Sequence, residues 1–317
     1  MATRSQALDQ QYAITSYASG QFNAAAAQGA NGDLMHLTGA PVPVNALNFE
    51  YSKFDANAAT QVQENIKISE NDPEGPEMDY GGTKETDSLD TFGFNTGWYP
   101  TKGVPDLGLL QSIRAKTAAG TQRAQTTRLY NALTTIDASA GTPTAIDLTS
   151  SSTEAVALLQ DTILAVFKAA GGWCPVHLLW PPAVLLKWAN HAKVQGRVSG
   201  GSTVKNPATI NMEDVDKILG LNTTSRLSMT VRNTAKRGQT VSHDFVLGTA
   251  VYVAAVSPVP NEYDPGAVKM FGGFGETLTP TYWSHGSGTH EKAKWRWQEK
   301  LKVVNAGALK KQAFTIA

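Results

Sequence analysis

The sequence has little charge and almost no cysteine. Charged residues make up 17% of its 317 positions, below the ~25% of an average soluble domain, and 27 basic side chains balance 27 acidic ones. It therefore lacks the basic surplus with which dedicated nucleic-acid binders neutralise phosphates. It also lacks the net charge that keeps monomers apart, which suits a protein that assembles. The single cysteine, Cys174, excludes a disulfide framework, and its neighbours in GGWCPVHLLW predict a buried, unreactive thiol.

Long apolar stretches are also missing. No part of the chain approaches the ~18 consecutive apolar residues of a membrane-spanning helix. The first twenty residues contain no apolar run of the kind that secretory signals have. We therefore expect a protein that stays in a reducing cytosol and has no membrane contact. Its length suggests about two domains.

The motifs of common chemistries are missing as well. We find no phosphate-binding loop of the Walker type, no His-Glu-x-x-His, no paired Cys-x-x-Cys and no nucleophile elbow. His285 and His290 flank a Gly/Ser turn without a third ligand nearby, and we expect structural roles for His177 in a strand and His191 on a helix. The acidic residues of ENDPEGPEMD fit no calcium loop and predict a solvated tip: Glu70, Asp72, Glu74, Glu77 and Asp79. We predict no catalytic, cofactor-binding or metal-binding residues, and a protein that is not an enzyme.

Alternating patterns organise the first third of the chain. Residues 1–46 predict an extended arm, with a short helix around Ser5–Tyr17 that AAAAQGANGD breaks. Residues 47–104 predict two long strands running out and back, because LNFEYSKF and FGFNTGW alternate around a polar middle. An isolated two-stranded hairpin is marginal in water, so the middle is either disordered or laid on a neighbouring copy. We favour the neighbour, and expect that a chain without residues 62–90 would be a soluble monomer that does not assemble.

The remainder predicts helices and strands in alternation. Residues 105–136 predict one long helix with a thin apolar stripe, which indicates a strut with one wet side; the stripe contains Leu110, Ile113, Leu129, Tyr130 and Leu133. Residues 150–256 predict compact α/β structure. Its first helix has Ser151 and Glu154 at capping-box spacing, and NMEDVDKILG predicts a short capped helix. The residues from about 266 onward predict β structure.

KWRWQEKLKVV, residues 294–304, predicts a strand with two unlike faces, because alternate side chains of a strand point to opposite sides. One face has Trp295, Trp297, Glu299, Leu301 and Val303. The other has Lys294, Arg296, Gln298, Lys300 and Lys302, and Lys292 extends it. This basic face is either a contact for nucleic acid or the wet side of a sheet, and its density of charge leaves both readings open.

The succession of these elements resembles the major capsid proteins of tailed bacteriophages with the Hong Kong 97-type shell fold, over nearly the whole chain. FGFNTGWYPTKGVPDLGLLQSIRAKTAAGTQRAQTTRLYNAL is similar to that family's returning loop strand and spine helix. CPVHLLWPPAVLLKWANHAKVQGRVSG and ATINMEDVDKILGLN look like parts of its axial domain. HEKAKWRWQEKLKVVNAGALKKQAFTI looks like its closing peripheral strands. The order of these stretches carries the resemblance, since none is a strong motif alone.

The resemblance implies an α+β fold with four parts. These are an N-terminal arm (1–46), an extended loop formed by a long β-hairpin (47–104), a peripheral domain with the spine helix and a β-sheet (105–150 and 265–317) and an axial α/β domain (151–264). It also implies a structural protein that forms the pentamers and hexamers of an icosahedral phage head around double-stranded DNA. Such a protein is assembled in the host cytoplasm and ends in the virion.

The resemblance further implies partners. These are other copies of the chain, a separate scaffolding protein, a portal, in some members a decoration protein, and packaged DNA through non-specific contacts. Some members cross-link through a lysine and an asparagine, but nothing marks Lys67 or Lys84 as reactive. The basic face at 294–302 would meet either packaged DNA or a neighbour's acidic loop at 70–79, and we favour the loop. An encapsulin-like compartment and a non-viral α/β hydrolytic enzyme are the alternative functions.

Overall fold

The computed structural model describes residues 29–54, 83–98, 106–198, 210–235, 239–261, 264–273, 279–284 and 291–316. Within them the helices are α1 (Gly29–Thr38), α2 (Asp106–Ser139), α3 (Ala155–Ala169), α4 (Pro182–Ala189), α5 (Ala192–Val198) and α6 (Met212–Leu219). The strands are β1 (Val42–Val44), β2 (Asn48–Lys53), β3 (Thr83–Ser88), β4 (Asp90–Trp98), β5 (Ile146–Asp147), β6 (Val176–Trp180), β7 (Thr223–Leu227), β8 (Val231–Asn233), β9 (His243–Phe245), β10 (Ala250–Ala255), β11 (Val268–Gly273), β12 (Thr279–Ser284), β13 (Glu291–Val303) and β14 (Leu309–Thr315).

The first sheet is built around β13, which confirms the strand predicted from KWRWQEKLKVV. β13 pairs antiparallel with β4, β11 and β12, and β1 joins β11 in parallel. Trp297 stacks on Phe92 of β4 with 5.8 Å between the ring centroids. Thirteen residues are enough for β13 to hold β4 along its first part and β11 along its last part. The side chains of Lys292, Lys294 and Trp295 lie outside the described part of the structure.

The second sheet has the strand order β5-β14-β10-β6-β7 and carries the main core. All six residues of β10 are buried, as an apolar run predicts for a central strand. Helices α1 and α3 pack against this sheet. Trp180 of β6 and Trp188 of α4 are fully buried, with ring centroids 5.3 Å apart. The predicted buried strand PVHLLW and the helix that begins at a proline are thus both confirmed.

The last strand crosses the domain division expected from the sequence. That division places residues 265–317 in the peripheral domain, yet β14 pairs with β10 in the second sheet. β5, from the predicted peripheral range 105–150, pairs with β14 in the same sheet. By hydrogen bonding, residues 309–315 therefore belong with the strands of the predicted axial domain. The sequence pattern could not reveal this, because it indicates a strand without indicating its partner.

Helix α1 lies where the sequence predicts an extended arm. It begins at Gly29, inside the AAAAQGANGD stretch that was expected to break a helix. Ala30, Leu34 and Leu37 recur at helical spacing and are buried in the main core. Tertiary packing of this apolar face compensates for the poor helix propensity of glycine and asparagine. The helix predicted around Ser5–Tyr17 lies outside the described residues.

Helix α2 confirms the predicted long helix and corrects its buried face. Side chains four residues apart form the buried line, and in the middle of the helix this line is polar: Thr117, Thr121 and Gln125. The side chains of Leu110 and Ile113 lie outside the described part of the structure. Leu129 and Leu133 continue the line and are buried as predicted. Tyr130 does not belong to it, since the side chain is 42% exposed and lies beneath the Arg232 guanidinium, 4.6 Å from the ring centroid.

One predicted helix cap is wrong and one is confirmed. Helix α3 begins at Ala155, so Glu154 is itself the N-cap and no capping box with Ser151 forms. The Glu154 carboxylate instead pairs with Lys193 at 2.8 Å. Helix α6 has the expected caps. The backbone N–H of Asn211 donates to the Asp214 carboxylate at 3.1 Å, and Gly220 ends the helix with φ +63°.

Candidate assembly site

A strand that changes partner defines the base of the predicted hairpin. β3 pairs antiparallel with β2 in a ribbon of two strands, and β4 pairs with β13 of the first sheet. Leu89 lies between them, buried, and its amide donates to the Leu47 carbonyl at 2.8 Å. Along the chain, the returning strand therefore pairs first with β2 in the ribbon, up to Ser88, and then with β13 in the first sheet, from Asp90 onward. The acidic tip predicted at residues 70–79 lies outside the described part of the ribbon.

Aromatic rings fix the ribbon to the first sheet. Phe49 and Tyr51 of β2 are buried, and their ring centroids lie 4.5 Å and 5.6 Å from that of Phe271 in β11. Val42, Val44, Leu89 and Val304 complete this small cluster. The alternation of LNFEYSKF therefore predicts the buried side of the ribbon correctly at Phe49 and Tyr51. Leu47 does not follow the pattern, since it is 55% exposed.

Ion pairs within the chain occupy part of the basic face of β13. Lys300 Nζ lies 2.9 Å from Asp90 and 3.9 Å from Asp87, and Lys302 pairs with Asp87. Lys302 holds the pKa of the Asp87 carboxyl below its usual value, and Asp90 raises the pKa of Lys300. The Lys302 ammonium also lies 5.8 Å from the centroid of the Tyr51 ring. These two lysines therefore stabilise the base of the hairpin. Their ion pairs lie within the chain and involve neither DNA nor the 70–79 loop.

A second charged cluster lies across β2 and β3. Glu85 accepts a hydrogen bond from the Tyr51 hydroxyl at 2.5 Å and pairs with Lys53 at 2.5 Å. These contacts lower the pKa of Glu85, with the Lys53 hydrogen bond as the largest cause. Burial and the Glu85 carboxylate together raise the pKa of Tyr51. The tyrosine therefore stays a neutral hydrogen-bond donor under ordinary conditions.

Arg128 joins the long helix to the first sheet. Its guanidinium donates to Glu299 of β13 at 2.5 Å and to the Asn31 side chain of α1 at 2.7 Å. Trp297 Nε1 donates to the other oxygen of Glu299 at 3.0 Å. The side chains of Arg128 and Glu299 are only 13% and 11% exposed, so the pair is largely withdrawn from water. A single cation thus holds together α1, α2 and β13.

Two groups of polar contacts attach helix α1 to β6, to β7 and to the residues that follow β7. Asp33, 2% exposed, accepts hydrogen bonds from Arg226 at 2.8 Å, Ser228 at 2.5 Å and Thr230 at 2.9 Å. The His36 ring stacks on the His177 ring with 4.6 Å between centroids. His177 Nδ1 donates to the His36 carbonyl at 2.7 Å, and His36 Nε2 donates to the carbonyl of the residue after His177 at 3.1 Å.

Burial is the main reason that both stacked imidazoles resist protonation. It lowers the pKa of His36 to about 4, and the neighbouring His177 and Arg226 act in the same direction. Burial also lowers the pKa of His177, against the opposite influence of Asp216. Protonation of His36 would place a positive charge close to Arg226 at a site that is largely withdrawn from water. The pair is therefore a neutral contact that acid disrupts.

Gly120 allows the helix to approach the sheet closely. A Cβ atom at this position would lie 2.5 Å from Cε2 of Phe94 in β4, closer than carbon atoms tolerate. Replacement of a mid-helix glycine by alanine normally stabilises a helix by about 1 kcal/mol. Here the contact with the ring opposes that gain, so the glycine is required by packing.

We expect Gly120→Ala to destabilise the chain by about 1 kcal/mol in spite of its higher helix propensity. In a Phe94→Ala background the same substitution should stabilise by about 1 kcal/mol, because the clash is gone. Urea unfolding of the four members of this double-mutant cycle measures both values. A stabilising effect of Gly120→Ala with Phe94 intact would contradict the close approach.

Some of the residues considered for chemistry in the sequence lie in the described part of the structure, and the others lie outside it. Cys174 is buried as predicted, and burial raises the pKa of its thiol to about 11. His191 is buried but lies between α4 and α5 instead of on a helix, with Nε2 2.9 Å from the Ser150 carbonyl. Lys84 is exposed on β3. Outside the described residues lie His285, His290, Lys67 and the acidic cluster of residues 70–79.

Searches of the described residues for two further features were negative. No group of three or more His, Cys, Asp or Glu side chains in these ranges has an arrangement that could hold a metal ion. Among the same residues, no helix combines the length and the hydropathy needed to cross a membrane.

The residues that tie the elements together were missed by sequence reasoning, although weak signals existed. Glu299 stands between Trp297 and Leu301 on the apolar face of its strand, and a buried carboxylate requires a cation such as Arg128. Asp33 similarly precedes an apolar helical segment. These signals indicate that each acid has a cationic partner. The partners, Arg128 for Glu299 and Arg226 for Asp33, are 171 and 193 residues away in sequence, and only the fold brings them close.

Comparison with solved structures finds the same fold in a phage-related protein and in a virus-like particle. No protein-family profile and no curated protein matches the chain. A phage-related protein from Bordetella bronchiseptica RB50 is similar in structure, with a TM-score of 0.63 and 13% identity over 95% of each chain. The virus-like particle from Pyrococcus furiosus is similar with a TM-score of 0.53 and 10% identity, covering 92% of this chain and 98% of that one. The mixed α+β fold expected from the sequence is confirmed, and it is shared with a phage-related protein and a virus-like particle.

Proposed function

We propose that the chain is a structural major capsid protein of a tailed phage. Its subunits form pentamers and hexamers of an icosahedral head that encloses double-stranded DNA. The observation that carries this proposal is the change of partner at Leu89. Before Leu89 the returning strand pairs only with β2 in the ribbon, and after it the strand pairs with β13 in the first sheet. Four of the six β3 residues are exposed and the other two are half-buried, and a polar two-stranded ribbon is marginal by itself in water. A neighbouring subunit supplies the surface that such a ribbon needs.

The division into parts follows from the same proposal. Residues 1–46 form the arm, with α1 as the section that is fixed in the body. Residues 47–104 form the extended loop, and 105–150 with 265–317 form the peripheral domain. Residues 151–264 form the axial domain, whose sheet β14 joins by pairing with β10.

The partners in this proposal are other copies of the chain, a separate scaffolding protein, a portal and, optionally, a decoration protein. Contact with packaged DNA is non-specific, in line with the absence of net charge. Assembly takes place in the host cytoplasm, and the final location is the virion. The chain performs no catalysis and binds no cofactor.

An encapsulin-like protein compartment is the second candidate, because the fold is shared with a virus-like particle from Pyrococcus furiosus. Negative-stain microscopy of the purified chain, with its scaffolding protein if one is encoded nearby, tests both candidates. Closed shells are expected, and a compact monomer that never assembles would refute both. Double-stranded DNA inside shells isolated from an infected host supports the phage head, and a protein cargo supports the compartment.

We expect that replacing residues 57–80 by a short Gly/Ser linker abolishes shell formation without unfolding the chain. The register between β2 and β3, from Asn48↔Ser88 to Lys53↔Thr83, stays intact in this variant. Its free energy of unfolding should therefore stay within ~0.5 kcal/mol of the parent value. Light scattering after size exclusion measures the assembly state. Shells of normal size from this variant would contradict the role of the hairpin.

A further inference from the structure

A groove runs between helix α2 and the first sheet. It has a volume of about 1090 Å³ and extends along α2 from Lys116 to Ser139. Its floor includes half-buried apolar side chains of the sheet: Phe92, Phe94, Trp297, Leu301 and Val303. On its helical wall the small residues Ala119 and Ala124 lie among longer side chains such as Lys116 and Arg123. The apolar floor and the space above the two alanines can receive the side chains of a guest segment.

The described chain begins beside this groove. Leu34 of α1 is one of its lining residues, and Asn31 is hydrogen-bonded to Arg128, which also lines it. Twenty-eight residues precede Gly29. Extended, they reach up to roughly 90 Å, and the groove wall on α2 is only about 35 Å long. The preceding segment can therefore enter the groove and span it without leaving its own subunit.

The composition of this preceding segment suits an apolar floor. Arg4 and Asp9 are its only charged residues, so residues 10–28 carry no charge at all. Its large apolar side chains are Leu8, Tyr12, Ile14, Tyr17 and Phe22. Burying such a segment requires no desolvation of a charge.

We propose that residues 8–22 of the chain dock in the groove between α2 and the first sheet of the same subunit. Tethering favours this occupant over a second copy, because a short tether gives an effective concentration in the mM range. The docked segment covers Phe92, Trp297 and Leu301 and completes the attachment of α2 to the sheet. This inference concerns the fold of one subunit and stands whether or not the chain forms shells.

Cross-linking of the full-length chain tests the proposal. Cys174 is buried with a raised pKa, so introduced cysteines are the reactive ones. Tyr12→Cys with Thr127→Cys places one thiol in the segment and one on the groove wall. Tyr12→Cys with Gln122→Cys is the matched control, because Gln122 is equally exposed but lies on the opposite side of α2.

We expect a short bismaleimide to link Tyr12→Cys to Thr127→Cys within one chain, with a yield ~10-fold above the control pair. Peptide mass spectrometry identifies the linked residues. Equal yields in the two pairs would overturn the proposal. Links that form dimers would also overturn it, since the occupant would then be a second copy.

A second measurement does not depend on cysteine placement. Tyr12→Asp with Ile14→Asp puts two charges into the docked segment, and Thr3→Asp with Ser5→Asp puts two charges outside it as a control. The first variant should exchange the backbone amides of residues 90–95 and 119–128 at least ~10-fold faster, and the control should match the parent. Unchanged exchange in the first variant would overturn the proposal.

Discussion

Arg128→Ala should lower the free energy of unfolding by about 3–5 kcal/mol, the largest effect we expect from one substitution. Removing one member of a buried ion pair leaves the other charge without compensation in a medium that solvates it poorly. Glu299 is that remaining charge, and only the Trp297 indole would still donate to it. Asn31 would lose its contact to the helix as well. Urea denaturation of the unassembled chain, followed by tryptophan fluorescence, gives the value.

Two further variants separate the ion pair from general damage to the helix. Arg123→Ala removes an exposed arginine one turn earlier on α2 and should change stability by less than ~0.5 kcal/mol. Arg128→Met combined with Glu299→Leu removes both charges and should recover most of the lost stability. If the double variant is as unstable as Arg128→Ala, the charge left on Glu299 is not the cause.

Acidification should destabilise the attachment of α1 by about 3 kcal/mol through His36. Its pKa in the folded chain is about 4, below the ordinary value of 6.5. A base whose folded pKa is lowered contributes stability that is complete above pH 6.5 and is lost as the pH falls toward 4. The full difference of ~2.5 pH units corresponds to roughly 3 kcal/mol. The charged groups that face the pair are Arg226, Asp33 and Asp216.

The variant His36→Gln isolates this effect. The parent chain should lose stability between pH 6.5 and 4.5, above the range where most carboxylates titrate, and His36→Gln should lose clearly less. His243→Gln serves as the control, because His243 is exposed on β9 and its replacement should leave the pH dependence unchanged. Chemical denaturation at a series of pH values measures the slope. Identical slopes in the parent and His36→Gln would refute the role of the pair.

The two clusters have a common consequence for assembly. Arg128 and the histidine pair both act on α1, which connects the long helix, the second sheet and the start of the chain. Lys300 and Lys302 act on the base of the hairpin. In the proposed assembly, a rigid base lowers the ordering entropy that binding of the hairpin to a neighbour costs. Lys300 and Lys302 supply this rigidity at the ribbon itself.

The sequence by itself determined the elements whose signals are local. Alternation predicted β13 and the buried side of β2, a capped pattern predicted α6, and an apolar run predicted the central strand β10. Periodicity and caps depend on neighbours within a few residues, so one sequence is enough to read them. The order of these elements was also enough to indicate a mixed α+β fold, which is shared with a phage-related protein and a virus-like particle.

The tertiary structure alone decided the contacts between distant residues. It makes a helix of Gly29–Thr38, because the core buries Leu34 and Leu37 there. It places β14 in the second sheet and turns Lys300 and Lys302 toward Asp87 and Asp90. It also joins Arg128 to Glu299 across the fold. Partner choice depends on which surfaces meet after the chain has folded, and a pattern along the chain records the need for a partner without its identity.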